Sequence, residues 1–222
     1  MIDLELNSST DLKREGKSFY WASFFLPKSS KKNAGILYSI CRYFDDIADK
    51  HSQDQSNYLK NSIEEIKNNK NNKVNIFLQK NKIDNSIFID LIEGLILDQK
   101  KIRIQNKKEL IIYSYHVAGT VGLMMSKIIG AKHKYADRSA IDLGIGMQLT
   151  NIARDVFEDA QMQRVYIPAD WIPNLKLFNL SSENEKKFED EVDIANAIHK
   201  IINLSDKFYK NGFTGLKYIP FK

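Results

Sequence analysis

The stretch that decides the fold is AIDLGIGMQLTNIARDVFED, residues 140–159. It reads as one helix ending in a charged constellation. Asn151, Asp155 and Asp159 fall at i, i+4 and i+8, and each step of four advances only about 40° around a helix axis. The oxygen-bearing side chains therefore share a face, with the carboxylates stacked one turn apart. Arg154 and Glu158 form a second row beside them. Stacked carboxylates repel unless something positive sits between them. Met147, Leu149, Ile152, Ala153 and Val156 surround the polar row. A bordering core gives more weight to a cation site, against the alternative of a solvated helix end.

The same grammar recurs upstream. In ILYSICRYFDDIAD, residues 36–49, Asp45 and Asp49 stand at i, i+4 after an apolar helical run, with Asp46 beside them and Arg42 one turn earlier. A hard cation such as Mg²⁺ takes oxygen ligands and keeps positions open for phosphate and water. One such acid pair recurs by chance in charged helices. Two, each closing an apolar helix, carry more weight, and two such helices facing each other would hold a diphosphate between several ions.

Composition bounds the rest. A chain of 222 residues, 43% hydrophobic and 27% charged, fits a single domain over 1–222 with a real core. The net charge of +5 and pI near 9.0 come largely from Lys mixed with Asn, as in residues 67–73, which reads as solvated surface. A basic face also suits anionic lipid headgroups or a polyanionic substrate. No signature of nucleic-acid recognition is present. Cys41 is the lone cysteine, so an internal disulfide is excluded and a reducing cytoplasm fits. The N-terminus lacks the apolar run of a secretory signal, and no stretch is long enough to span a bilayer.

The remaining segments follow from local pattern. KSFYWASFFL, residues 17–26, reads as a short aromatic-rich helix stopped by Pro27. Ser29 and Ser30 are expected to cap a helix from Lys31 to about Asp49. Residues 50–85 hold a weak helix near Asn57–Asn68 and then a loop around 69–73. Ile87–Lys100 returns to helical period and carries Asp98 at its end, a position usually solvated. Lys107–Gly130 reads as one long helix in which Gly119 and Gly122, like Gly144 and Gly146 later, indicate close helix approach or room for a ligand. His116, on a mostly apolar helix, reads as a satisfied core residue more readily than as a base or ligand. Pro168 and Pro173 end the central helix region. The intervening loop carries Arg164 and Tyr166 beside the acids, as a lid or as a plain connector. Ser182 with Glu185 forms a capping box for a last helix to about Tyr209. The expectation is an all-α globule of about seven or eight helices.

These motifs together resemble the squalene/phytoene synthase family, the head-to-head prenyl synthases. KSFYWASFFLP with LYSICRYFDDIAD is similar to its N-terminal motif and first aspartate-rich helix. YSYHVAGTVGLMM is similar to its central tyrosine–glycine helix. DLGIGMQLTNIARDVFEDAQMQRVYIPADW is similar to its second aspartate-rich motif and flap, in wording nearest bacterial phytoene synthases. The likeness runs from about Lys17 to Lys222, with residues 50–85 poorly matched.

The resemblance implies an all-α isoprenoid-synthase fold around a deep apolar cavity. It implies that Asp45 and Asp49 face Asp155 and Asp159 and bind diphosphates through Mg²⁺, with Mn²⁺ as the alternative ion. Gln148, Asn151 and Arg154 match the second motif's polar helpers. Lys17, Ser18, Arg42, Arg164 and Tyr166 match positions that hold or cover diphosphate. Tyr113 and Tyr115 match aromatic positions beside the reacting carbons, with Asn151 and Arg154 counted in the same catalytic set, and Asp98 matches an acidic position on the adjacent helix. Family members continue past GLKYIP, so the family's C-terminal helices are expected to be missing from a chain ending at Lys222.

The implied reaction joins two prenyl diphosphates through a cyclopropylcarbinyl diphosphate. It gives phytoene from geranylgeranyl diphosphate, or a C30 hydrocarbon or alcohol precursor from farnesyl diphosphate. NADPH is not expected for phytoene formation. A non-catalytic assembly factor of the same family is the other class of reading, and it is disfavoured because all four motif aspartates are present. Greasy tails suggest peripheral contact with the inner membrane face. Oligomeric state is not readable from the sequence.

Overall fold

The structure, a computed structural model, describes residues 17–50, 52–99, 102–172 and 188–220, with side chains from Tyr20 and, in the last stretch, from Glu191. Among the described residues it is all-α apart from one pair of two-residue strands.

Helix α1, Lys17–Ala22, passes into a 3-10 turn, Ser23–Phe25, and ends before Pro27. Helix α2, Lys28–Ala48, starts earlier than the serine caps suggested, with Pro27 at its N-cap. Proline fits there because its missing N–H is one the helix leaves unpaired anyway. Ser30 instead donates to the Ile128 carbonyl at 3.1 Å, tying α2 to a distant helix. Helix α3 spans Gln53–Lys67, capped by Ser52. Helix α4, Lys73–Lys80, occupies a stretch for which no helix was expected. Asn72 caps it by accepting from the Asn75 N–H, and Val74, Phe77 and Leu78 bury its inner face. Helix α5 is Asn85–Asp98.

The expected long helix over 107–130 is three segments on one continuous path. Helix α6, Lys107–Ser114, and helix α7, Thr120–Ile129, flank a π-helical turn, Tyr115–Gly119. Gly130 ends α7 with φ of 89°, a left-handed conformation that only glycine adopts without cost. The central helix α8 starts at Lys134, capped by His133, and stops at Arg154. Asp155 bends the chain (φ −104°, ψ 16°) into α9, Val156–Gln161. The backbone bonds Asp155 N–H to Asn151 and Asp159 N–H to Asp155 persist across the bend, so the single helix of the sequence reading is broken in direction and not in register. Helix α10, Phe188–Phe213, packs along α8. The capping box at Ser182 and Glu185 lies outside the described residues.

Two apolar clusters result. One joins α2, α3, α4, α5 and α7 around Leu37, Phe44, Phe88 and Met124; the other joins α6, α8, α9 and α10 around Leu110, Leu149 and Ile201. The interior glycines serve close approach. A Cβ on Gly122 would sit 2.2 Å from the Ala140 carbonyl oxygen, and one on Gly144 2.3 Å from that of Ala118. Helices α7 and α8 therefore touch backbone to backbone, while α2 stands off and leaves a cavity.

Candidate functional site

That cavity, about 600 Å³, runs lengthwise beside α2 and is walled by α5, α6, α7 and α8. One end is apolar: Leu26, Ala34, Leu37, Val121, Met125 and Ile129. The other is polar: Arg42, Asp45, Asp98, Tyr113, Gln148 and Asn151. A second cavity of about 380 Å³ lies between α7, α8 and the turn after α10. It shares Val117, Val121, Met125, Ile129, Gln148 and Asn151 with the first. Cys41 is part of the first wall, and burial and then Asp45 push its thiol up to about 12, so it stays neutral and unreactive.

Three helices end in carboxylates, of which Asp45 and Asp98 line the polar end. Helix α2 ends with Asp45 and Asp49, α5 with Asp98, and α8 with Asp155, followed by Asp159 on α9. A helix C-terminus carries partial negative charge, so fixed dipoles and side chains add in sign. Burial first, then Asp49, hold the Asp45 carboxyl up at about 6 against the pull of Arg42. Burial and then Asp155 hold Asp159 up at about 7, with Arg164 opposing. Asp98 contributes to both shifts, which places the two aspartate motifs around one common acid.

Asp98 is itself the hub of a buried network. Tyr113 and Tyr166 each bring a hydroxyl to 2.8 Å from one of its oxygens. The rings stack at 4.7 Å, and the hydroxyl oxygens lie 3.1 Å apart because both are drawn to the same carboxylate. Burial raises the Asp98 carboxyl, and the hydrogen bonds from Tyr166 and Tyr113 offset part of the shift.

Arg164 spans the motifs. Its Nη2 donates to Asp49 Oδ1 at 3.2 Å, and its charge is felt at Asp98 and Asp159. The segment carrying it is pinned down. Strand β1, Ile102–Arg103, pairs in parallel with β2, Arg164–Val165. The ladder continues through Ile104 N–H to Val165 and Ala169 N–H to Ile104, and Arg103 Nη1 donates to the Ile167 carbonyl at 2.8 Å. Of the two sequence readings, a plain connector and a lid, the structure shows a strand fixed against the acid cluster. Arg103 was missed by the sequence reading, since a two-residue strand leaves no periodic signal.

The other expected site residues divide. Gln148 and Asn151 stand where the two cavities meet. Arg42 clasps Asp45 at 3.1 Å and Asp46 at 2.8 Å. Arg154 is exposed and grips Asp155 at 2.6 and 2.7 Å from the solvent side, away from the cavity wall. Tyr115, on the π turn, donates to Asp90 on α5 at 2.7 Å and does not line either cavity. His116 is half-buried and bonds the Asp90 carbonyl through Nδ1 at 2.8 Å. The side chains of Lys17 and Ser18 lie outside the described residues.

Among the described residues, then, an all-α fold sets acids beside the polar end of an apolar cavity. Residues 12–222 match the squalene/phytoene synthase family, and the chain belongs to it. It is 34% identical over 132 residues to the phytoene synthase of Pseudescherichia vulneris, covering 60% of this chain and 42% of that protein. It is 29% identical over 224 residues to the 15-cis-phytoene synthase of Enterobacter agglomerans, covering 93% of this chain and 75% of that one. The chain thus spans less than half of the first relative and three quarters of the second. Its fold matches a dehydrosqualene synthase crystal structure with a TM-score of 0.81 and 27% identity, over 95% of this chain and 76% of that one.

Proposed function

We propose that the chain acts as a Mg²⁺-dependent phytoene-type synthase, joining two geranylgeranyl diphosphates head to head with release of diphosphate. The observation that supports this reading is Asp45 and Asp98 lining the polar end of an apolar cavity, with Asp49 acting on Asp45 and Asp159 within the field of Asp98. The donor set fits the ion. The acids are hard oxygen ligands, and burial raises the proton affinity of Asp45, Asp98 and Asp159, so a cation beside them would offset the charge that burial penalises. Asp45 and Asp49 would hold metal from one side and Asp155 and Asp159 from the other. Bound there, Mg²⁺ supplies the positive charge that a departing diphosphate needs.

This chain's own residues do the rest. Arg42 and Arg164 place fixed positive charge at the polar end, where the leaving oxygens accumulate charge. The C1–O bond of one substrate breaks and its electron pair leaves with diphosphate. The C2=C3 bond of the second substrate then attacks the allylic cation, and proton loss closes a cyclopropane. Val117, Val121 and Met125 line both cavities and keep water from the cation. A second ionisation, rearrangement and proton loss yield the conjugated triene. The two cavities share Gln148 and Asn151 in their walls, and each would take one tail with its head near those residues.

Small residues at the apolar end, Ala22, Ser23 and Ala34, leave depth for the longer tail and favour the C40 product. A C30 product is the second reading, favoured by the likeness to a dehydrosqualene synthase. Incubation with Mg²⁺ and either geranylgeranyl or farnesyl diphosphate, followed by product mass and pyrophosphate assay, separates them. A C40 triene is expected. C30 hydrocarbon alone would move the assignment to the second reading, and absence of pyrophosphate release from both substrates would overturn both.

A further inference from the structure

The segment from Tyr20 to Lys32 has two faces. Inward, Ala22, Ser23 and Leu26 close the apolar end of the large cavity. Outward, Trp21, Phe24 and Phe25 are 70%, 53% and 92% exposed. Tyr20, Trp21 and Phe24 form one ring cluster, with Trp21 and Phe24 centroids 5.9 Å apart and Tyr20 and Phe24 5.1 Å apart, and Phe25 stands exposed next to it in the chain. Contiguous exposed aromatics on a water-facing surface mark a contact site, because each ring loses the free energy of leaving water until something covers it.

The surroundings say what covers it. Lys31 Nζ sits 3.5 Å from the Phe24 ring centroid, and Lys28 and Lys32 are exposed on the first turns of α2. From Tyr20 to Ile40 the only charged residues are these lysines. Aromatic rings beside lysines, with no acid among them, match the boundary of an anionic bilayer. There rings enter the headgroup region while ammonium groups meet lipid phosphates.

We propose that the Trp21–Lys32 face docks on an anionic lipid surface and sets the apolar end of the cavity against the membrane. Long apolar tails then pass between bilayer and cavity past Ala22, Ser23 and Leu26 without crossing water. This last consequence rests on the proposed function; the docking does not.

The test uses the whole chain with vesicles of phosphatidylcholine, with and without phosphatidylglycerol, and no substrate. The chain has two tryptophans, so Trp171→Phe leaves Trp21 as the sole reporter. The expected result is co-flotation with phosphatidylglycerol vesicles, a blue shift of Trp21 emission, and its quenching by brominated acyl chains. Phe25→Ser should lower the partition coefficient about tenfold or more. Lys28→Glu combined with Lys32→Glu should abolish the preference for phosphatidylglycerol and the loss of binding in high salt. A chain that stays in the aqueous fraction overturns the proposal. So does one that floats with Trp21 unquenched, or a vesicle-free dimer that Phe25→Ser turns into monomer, since that would assign the face to a second copy. Pyrophosphate release in detergent, read in parallel on the parent and on Phe25→Ser, tests the catalytic reading separately, because Phe25 lines neither cavity.

Discussion

Arg164 on β2 donates to Asp49 at the end of α2 across 3.2 Å, between residues 115 positions apart in the chain. That contact ties the region after the second aspartate motif to the first motif. It rests on β1, which follows α5 and Asp98, so one two-residue ladder registers three acidic elements against each other.

Removing that charge is expected to cost function more than fold. Arg164→Ala should lower Mg²⁺-dependent pyrophosphate release by roughly 10- to 100-fold, the scale of a hydrogen bond to a charged group. Arg164→Lys should recover little of it, because an ammonium cannot reproduce the guanidinium's spread of donors. Release at the parent rate from Arg164→Ala would remove Arg164 from the site.

Stability should fall as pH rises when metal is absent. The carboxyls of Asp45 and Asp159 stand at about 6 and about 7 against 3.8 for a free carboxyl. Between 3.8 and those values the folded chain binds more protons than the unfolded chain. The contribution is therefore complete below 3.8 and is lost as pH climbs through 6 to 7. Asp45's side chain is 44% exposed, so solvent screening trims the effect to a few degrees in Tm. Thermal melts in EDTA at pH 5.5 and pH 8 should show the lower Tm at pH 8. Mg²⁺ should raise Tm more at pH 8 than at pH 5.5, by mass action on ionised acids. A Tm that rises with pH in EDTA would contradict the clustered-acid geometry.

Much of this was legible in the sequence, and the limits are physical. Apolar residues such as Leu37, Phe44, Leu91, Leu95, Val121 and Leu149 recur at helical spacing, so the cavity-forming helices and the acids at their ends follow from period alone. Helix α4 was hidden because its polar flanks resemble a loop, although Asn72 with Val74, Phe77 and Leu78 was a readable cap and face. The bend at Asp155 and the π turn at Tyr115–Gly119 change direction without changing composition. Asp98 looked like an ordinary helix end. What makes it a hub is the arrival of Tyr113 and Tyr166 from elsewhere in the chain, and a linear pattern holds no record of that convergence. Arg154 shows the converse: its place in a motif suggested the cavity, while its side chain turns outward to Asp155.

The α7–α8 contact should tolerate no side chain. Gly122→Ala and Gly144→Ala each drive a methyl group to within 2.2–2.3 Å of a backbone oxygen that cannot rotate away. Helices must part, at about 1–3 kcal/mol as for other overpacked sites, or roughly 2–4 °C in Tm for each kcal/mol. Because this contact borders the second cavity, parting the helices should also lower product yield at temperatures where the variants remain folded. A variant with parental Tm would show that the two backbones are farther apart than described.

Cavity depth should set product length. Ala34 is buried, lines the apolar end, and lies three turns, about 16 Å, from Asp45 along α2. Ala34→Phe places a ring across that end without touching the acids. With both prenyl diphosphates supplied, the parent should favour the C40 product and Ala34→Phe should shift the ratio toward C30 by at least tenfold. The expected magnitude is that of pushing several methylene groups out of an apolar pocket. Pyrophosphate release from farnesyl diphosphate should stay close to parental, since the polar end is unchanged. If the ring destabilises α2, Ala22→Leu reaches the same end of the cavity from the preceding turn and should shift the ratio in the same direction. An unchanged ratio in both variants, each verified as folded by its melt, would show that the tails do not reach this end.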